Sequence, residues 1–273
     1  DAISPDGKES GDVLNDAVYR RNVSMEERFN VKVVGIEGEE DAMVSTLMKA
    51  VAAGEDAYDL FLGHTALSGK AALSGYFHNW YDIPHINFDK PWFPQSTIEQ
   101  LRINDRMYMA MSDMCLSYAQ NTYCVFFNKE MLNDYDITDM YDVVRDGKWT
   151  IDALHTYTKS IANLMGDSDF KWDKNGNAIY GIAAHPDAPA HFITAAGEYT
   201  VRADQDGELY FAPENDRYYS VISALAKLLD TSAGSALAAS SDDFNADLGG
   251  YMHTFHTGRS LFSFAASNAA RVS

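Results

Sequence analysis

Apolar side chains recur along this chain with two periods, and the periods alternate. From Val13 to Phe29 they fall at Val13, Leu14, Ala17, Val18, Met25 and Phe29, near the helical repeat, with Asp12 placed to cap the start. The short run Val31 to Ile36 reads as a strand, Asp41 to Ala53 as a second helix closed by Gly54, and Tyr58 to Leu62 as another strand. A short helix is expected near Leu67 to Leu73, then an aromatic segment, Phe77-His78-Asn79-Trp80-Tyr81, and a proline-bounded pair, Trp92-Phe93. Leu101 to Ile103 and Met107 to Met111 flank Asn104-Asp105, the signature of a hairpin turn, and Cys124 to Phe127 is a further strand.

Beyond Asn128 helices predominate: Lys129 to Asn133, Met140 to Arg145, and Ile151 to Leu164 started by Thr150. Ile179 to Ile182 is a strand, and Tyr199 to Phe211 is a hairpin turning at Asp206-Gly207. An amphipathic helix over Asp216 to Leu229 follows, then a helix near Ala246 to Thr257 ending at Gly258, and the strand Ser260 to Phe264. Strands that alternate with helices call for a mostly parallel sheet, so the fold class is α/β. An α/β first half meets a helix-rich second half near Tyr123 to Asn128.

The charge balance narrows the partners. A formal net charge of -19 leaves no clustered Lys and Arg for a phosphate backbone or an anionic membrane surface, which excludes nucleic acid as a partner. No window reaches the roughly 18 to 20 apolar residues of a membrane-spanning helix. Cys115 and Cys124 belong to no CxxC motif, which argues against zinc and leaves two states open to them, free thiols or a pair across a hairpin. His253 and His256 share a helical face without a third ligand, so structural roles are expected. Asp167, Asp169 and Asp173 before Asn175-Gly176-Asn177 miss the EF-hand spacing and read as a polar turn, with calcium the alternative. No metal and no cofactor are expected.

Several segments resemble family-one extracellular solute-binding proteins, the carbohydrate-binding group that includes maltose-binding protein. Asn15-Asp16-Ala17-Val18-Tyr19-Arg20-Arg21-Asn22 with Glu26-Glu27-Arg28-Phe29-Asn30-Val31 is similar to the family's first helix and second strand. Tyr58-Asp59-Leu60-Phe61-Leu62 is similar to its "YDL" strand, and Val125-Phe126-Phe127-Asn128-Lys129 to its "YNK" crossing segment. Gly147-Lys148-Trp149-Thr150 is similar to its "GKWT" helix start, and Phe255-His256-Thr257-Gly258-Arg259-Ser260-Leu261-Phe262 to its "FxxGxxxF" segment. The resemblance implies a type-II periplasmic-binding-protein fold of two lobes joined by a hinge. Residues 1–123 would form the N-terminal lobe, 124–128 the crossing strand and 129–273 the C-terminal lobe. It also implies a first strand before Asp1 and a return segment after Ser273. The implied function is capture of a sugar or oligosaccharide for the permease of an ABC importer. The protein would stand outside the cytoplasm, as a cell-surface lipoprotein or in the periplasm, and be monomeric at full length.

Sugars present apolar ring faces among hydroxyls, so their sites combine aromatic side chains with hydrogen-bonding groups. On the resemblance, His64 and Thr65 face the cleft from a strand end, Asn121 lies near the hinge, and His185 and Asp187 reach the cleft from the second lobe with His191 on the next helix. Asn268 follows the last strand toward the same place. Trp80, Tyr81, Trp92 and Phe93 are the candidates for ring stacking, against core packing as the alternative; Trp149 is expected to be structural. No nucleophile elbow, phosphate loop or dinucleotide fingerprint is complete, so a binding protein rather than an enzyme is expected. The runner-up is a glycoside hydrolase using two of the abundant carboxylates.

Overall fold

The computed structural model describes residues 9–163, 165, 176–213, 215–230, 235–237, 250–267 and 269. The chain forms two compact units, one of residues up to Ala119 with Ala203–Leu209, the other of Gln120–Arg202 with the residues from Tyr210 onward.

The first unit is built from α1 (Val13–Phe29), α2 (Glu40–Ala53), α3 (Thr65–Leu73), a 3₁₀ turn at Trp80–Asp82 and α4 (Gln95–Leu101), with α5 (Leu116–Gln120) at its end. The Asp12 carboxylate accepts the Asn15 N–H at 2.8 Å and starts α1, as the sequence predicts. Gly54, at φ 72°, takes the left-handed conformation that ends α2. α2 packs on α3, with Leu47, Ala50, Ala71 and Ala72 buried. A second core gathers around Phe88, Ile98 and Met107, against which Trp80, Ile86, Phe93, Leu101 and Ala110 pack. Asn79 organises it: its Oδ1 accepts the Met107 N–H at 3.0 Å while the Trp80 N–H donates to the Met107 carbonyl at 2.7 Å.

The second unit is a four-stranded sheet ordered β1 (Tyr123–Phe127), β6 (Ser260–Ala266), β2 (Tyr180–Ala184), β5 (Ser235–Leu237). β2 runs parallel to both β5 and β6, and β1 lies antiparallel on β6 with Tyr123 opposite Ala266 and Phe127 opposite Phe262. All five residues of β2 are buried, as a strand covered on both faces must be. Around the sheet stand α6 (Lys129–Asp134), α7 (Met140–Arg145), α8 (Ile151–Ile161), α9 (Ala188–Ala195), α10 (Asp216–Leu228) and α11 (Gly250–His256). Leu154, Leu225, Leu228, Ile182, Phe262 and Phe264 belong to one core with Trp149 against it, which gives Trp149 a packing role. α11 covers the other side, where Ser263 Oγ meets Met252 Sδ at 3.0 Å and Phe126 meets Phe255 with ring centres 6.3 Å apart. A hairpin of β3 (Val201–Ala203) and β4 (Leu209–Phe211) turns at Gly207, φ 83°, as predicted.

Four expectations are corrected. Val31 to Ile36 and Tyr58 to Leu62 form no strand, and Val34, Ile36 and Leu60 are 73%, 62% and 48% exposed. Alternating apolar residues make a strand only where a neighbour completes the ladder, and no described residue supplies one. Asn104 and Asp105 do form the predicted turn, both left-handed at φ 48° and 54°, but pairing stops at Ile103 and Arg106. α8 ends three residues early because Asn163 leaves the helix to exchange backbone hydrogen bonds with Ile179 at 3.0 and 2.8 Å. The segment 124–128 is a strand of the second unit, hydrogen-bonded along β6 and ending at Asn128, whose side chain caps α6; the chain passes from the first unit to the second at Ala119–Gln120.

Candidate functional site

In a sheet of parallel strands the helices that follow begin at one edge, and ligands of open α/β sheets bind there. β2 and β6 end at that edge with Ala184 and Ala266, and antiparallel β1 begins there with Tyr123. Ser267 ties the segments together, its N–H donating to the Thr122 carbonyl and its hydroxyl to the Gln120 carbonyl, both at 2.8 Å. From this edge rise Tyr123, the loop His185-Pro186-Asp187 and, one turn into α9, His191.

These side chains form one cluster. The imidazole of His191 stacks on the Tyr123 ring with centroids 3.7 Å apart and planes 21° from parallel, and Phe264 backs both rings at 6.0 and 5.3 Å. His185 Nδ1 lies 3.3 Å from the Asp187 carboxylate and 3.3 Å from the Asp187 N–H. Burial lowers the His191 pKa from its ordinary value, while Asp187 opposes and His185 reinforces the shift. Burial raises the Tyr123 phenol, and the Asp187 charge adds to that. The edge thus offers a half-buried aromatic pair and polar groups reaching solvent, able to meet a ring face and hydroxyls together.

Other expected residues are placed differently. His64 follows no strand; its Nδ1 accepts the Ala66 N–H at 3.3 Å and caps α3, where Thr65 is the first, half-buried residue. Trp80 and Phe93 lie in the first unit's core, edge-on and tilted against Phe88 at 6.4 and 4.8 Å, which commits their rings to packing. Tyr81 and Trp92 remain 43% and 48% exposed. Asn121 is exposed between α5 and β1, beside the cluster's own start. Asn268 and the Asp167 to Asn175 part of the polar turn lie outside the described residues.

The first unit carries a polar depression of about 580 Å³ lined by Phe77, His78, Asn79, Asp82, Asn104, Asp105, Arg106 and Tyr108. Its side chains largely serve one another: Asn79 donates to Asp82 at 3.2 Å and Arg106 to the Tyr108 oxygen at 3.5 Å. Among the described residues no group of three His, Cys, Asp or Glu side chains stands ready to hold a metal, and Cys115 and Cys124 are both free thiols.

The resemblance, with the position after a strand, points to His185 and Asp187, which the structure sets at this edge, whereas the sequence pattern does not single out Tyr123. Its signal was present in an aromatic residue opening a strand antiparallel to its neighbours, but recognising it required knowing strand direction. His191 was placed on the helix without its stacking partner.

The architecture defines a mixed α/β protein whose second unit has a largely parallel central sheet. No protein-family model matches the chain, and no curated protein matches it in sequence. The segment likenesses to family-one solute-binding proteins therefore do not establish membership of that family, and two of them, at Val31 and at Tyr58 to Leu62, lack the strand that the family pattern calls for. Among solved structures the chain is similar to UspC of M. tuberculosis (monoclinic crystal form), with a TM-score of 0.58 and 16% identity. That likeness, which concerns the fold, covers 93% of this chain, and the chain spans 61% of the length of that one.

Proposed function

We propose that the protein is an extracellular or periplasmic solute-binding component of an ABC importer, held as a surface lipoprotein or free in the periplasm. In this reading the fold is of the two-lobed, type-II periplasmic-binding-protein kind, and it takes up a neutral sugar or oligosaccharide and delivers it to a membrane permease unchanged. The observation that carries this reading is the Tyr123, His185, Asp187 and His191 cluster at the carboxyl edge of the second unit's sheet. The fold likeness to UspC supports the architecture. Ring faces and hydroxyls are what an uncharged saccharide presents, and a stacked aromatic pair beside hydrogen-bonding groups is their complement. Asn121 beside the cluster is the further contact we assign. No described helix is long and apolar enough to cross a membrane.

Titration calorimetry against a panel of neutral oligosaccharides tests this. Binding is expected for at least one, weakened roughly two- to tenfold by His185→Ala or Asn121→Ala, the loss of one net hydrogen bond, and weakened by Tyr123→Ala through lost ring contact. Affinity should change little with salt. The alternative, a glycoside hydrolase, makes a different forecast: new reducing ends after incubation with the bound sugar, abolished by replacing one carboxylate, would overturn the binding-only reading.

A further inference from the structure

α9 begins where β2 ends, and a helix N-terminus so placed is a ready anion site, because its first N–H groups lack partners and the helix dipole favours negative charge. Here those donors are taken or missing. The Asp187 N–H donates to His185 Nδ1 at 3.3 Å, the Ala188 N–H to the His185 carbonyl at 2.9 Å and the Ala190 N–H to the Asp187 carbonyl at 3.1 Å. Pro189 has no N–H to give. The N-cap position itself holds Asp187, whose carboxylate makes no capping bond to that first turn and stands exposed. Its negative charge acts on Tyr123 and His191 alike, favouring the protonated form of each. Lys129, which follows β1, and Arg259, which precedes β6, stand at the other end of those strands. Among the described residues of the carboxyl edge, 120–123, 184–191 and 265–267, there is no lysine or arginine.

We propose that Asp187 is a specificity-determining residue that makes this edge reject anionic ligands, the carboxylated and phosphorylated saccharides, in favour of uncharged ones. The proposal rests on the reading that this edge binds a saccharide. An anionic group brought to the start of α9 meets a fixed carboxylate and finds no open N–H to replace its lost water, so it is both repelled and unsolvated.

The test compares neutral disaccharides with their uronic acid counterparts, each carrying one carboxylate in place of a primary alcohol, by calorimetry on the full chain at low salt. The wild type should bind the uronic acid at least about tenfold more weakly, as a like charge a few ångströms away requires. Asp187→Asn, which keeps the side chain's shape, should close most of that gap, read as the ratio of the two affinities measured on the same variant. Asp152→Asn in the first turn of α8 removes an equal charge elsewhere and should leave the gap open. Equal affinity for both ligands in the wild type, a gap unchanged by Asp187→Asn, or a gap closed equally by Asp152→Asn would overturn the assignment while the saccharide reading stands. Absence of binding by every neutral sugar would overturn both.

Discussion

His191 shows how a single side chain carries the site's chemistry. Its ring is pressed between Tyr123 and the edge of the sheet, and burial favours the uncharged imidazole. The folded protein therefore takes up this proton less readily than the unfolded chain, whose imidazole titrates near 6.5. The stabilisation is fully present above that value and is lost as the pH falls through it toward the lower folded value. Thermal melts at pH 8 and pH 5.5 should show the wild type losing more stability than His191→Phe, which keeps a ring on Tyr123 but removes the titration. An equal loss in both would show that the imidazole does not titrate as described. That His185 and Asp187 stand just past a strand was legible in the sequence, because the apolar run that precedes them is broken by Pro186. The Tyr123–His191 stack was not, because it joins residues far apart in the chain, and only the antiparallel setting of β1 brings its first residue to the carboxyl edge.

At the scale of elements, what was legible follows from where the determining interactions lie. α1, α7 and the end of α2 agree with expectation to within a residue because caps and helical period are local: Asp12 onto Asn15, and Gly54 in the left-handed region. Strands are decided by partners, and Val31 to Ile36, alike in pattern to β1, stays unpaired while β1 gains β6. β2 adds a constraint that no pattern reveals. Gly181 lies against Thr158 of α8, and a Cβ there would stand 2.5 Å from the Thr158 carbonyl oxygen and 2.6 Å from its Cα. Those are backbone atoms that cannot rotate away, and Thr158 is wholly buried. Gly181→Ala should therefore push α8 off the sheet and destabilise the protein by about 1 to 3 kcal/mol, seen as a lower urea midpoint. An unchanged midpoint would mean that the helix yields freely.

For the molecule as a whole, charge is the dominant global property. Forty acidic residues against 21 basic ones give the net charge of -19, and most of the ion pairs lie on the surface, where each contributes little. An exception is Glu198, whose side chain is 7% exposed and meets Arg217 at 3.2 Å and Asn215 at 3.2 Å, holding the end of α9 to the start of α10. Self-repulsion among unpaired carboxylates should thus outweigh the screened attractions. Raising sodium chloride from about 10 mM to about 0.5 M, which shortens the screening length several-fold, should raise the melting temperature by a few degrees. A melting temperature that falls with salt would show that the surface pairs matter more than the excess charge.

The division of the chain between the units has a temporal consequence. The tip of the β3–β4 hairpin belongs to the first unit, where the Asn104 N–H donates to the Gly207 carbonyl at 3.2 Å. A protein is made from its N-terminus, so helices α1 to α4 emerge from the ribosome long before Gly207 exists. The first unit must wait, incomplete, while much of the second is being translated, and the second in turn is completed only when β6, a central strand of its sheet, has followed.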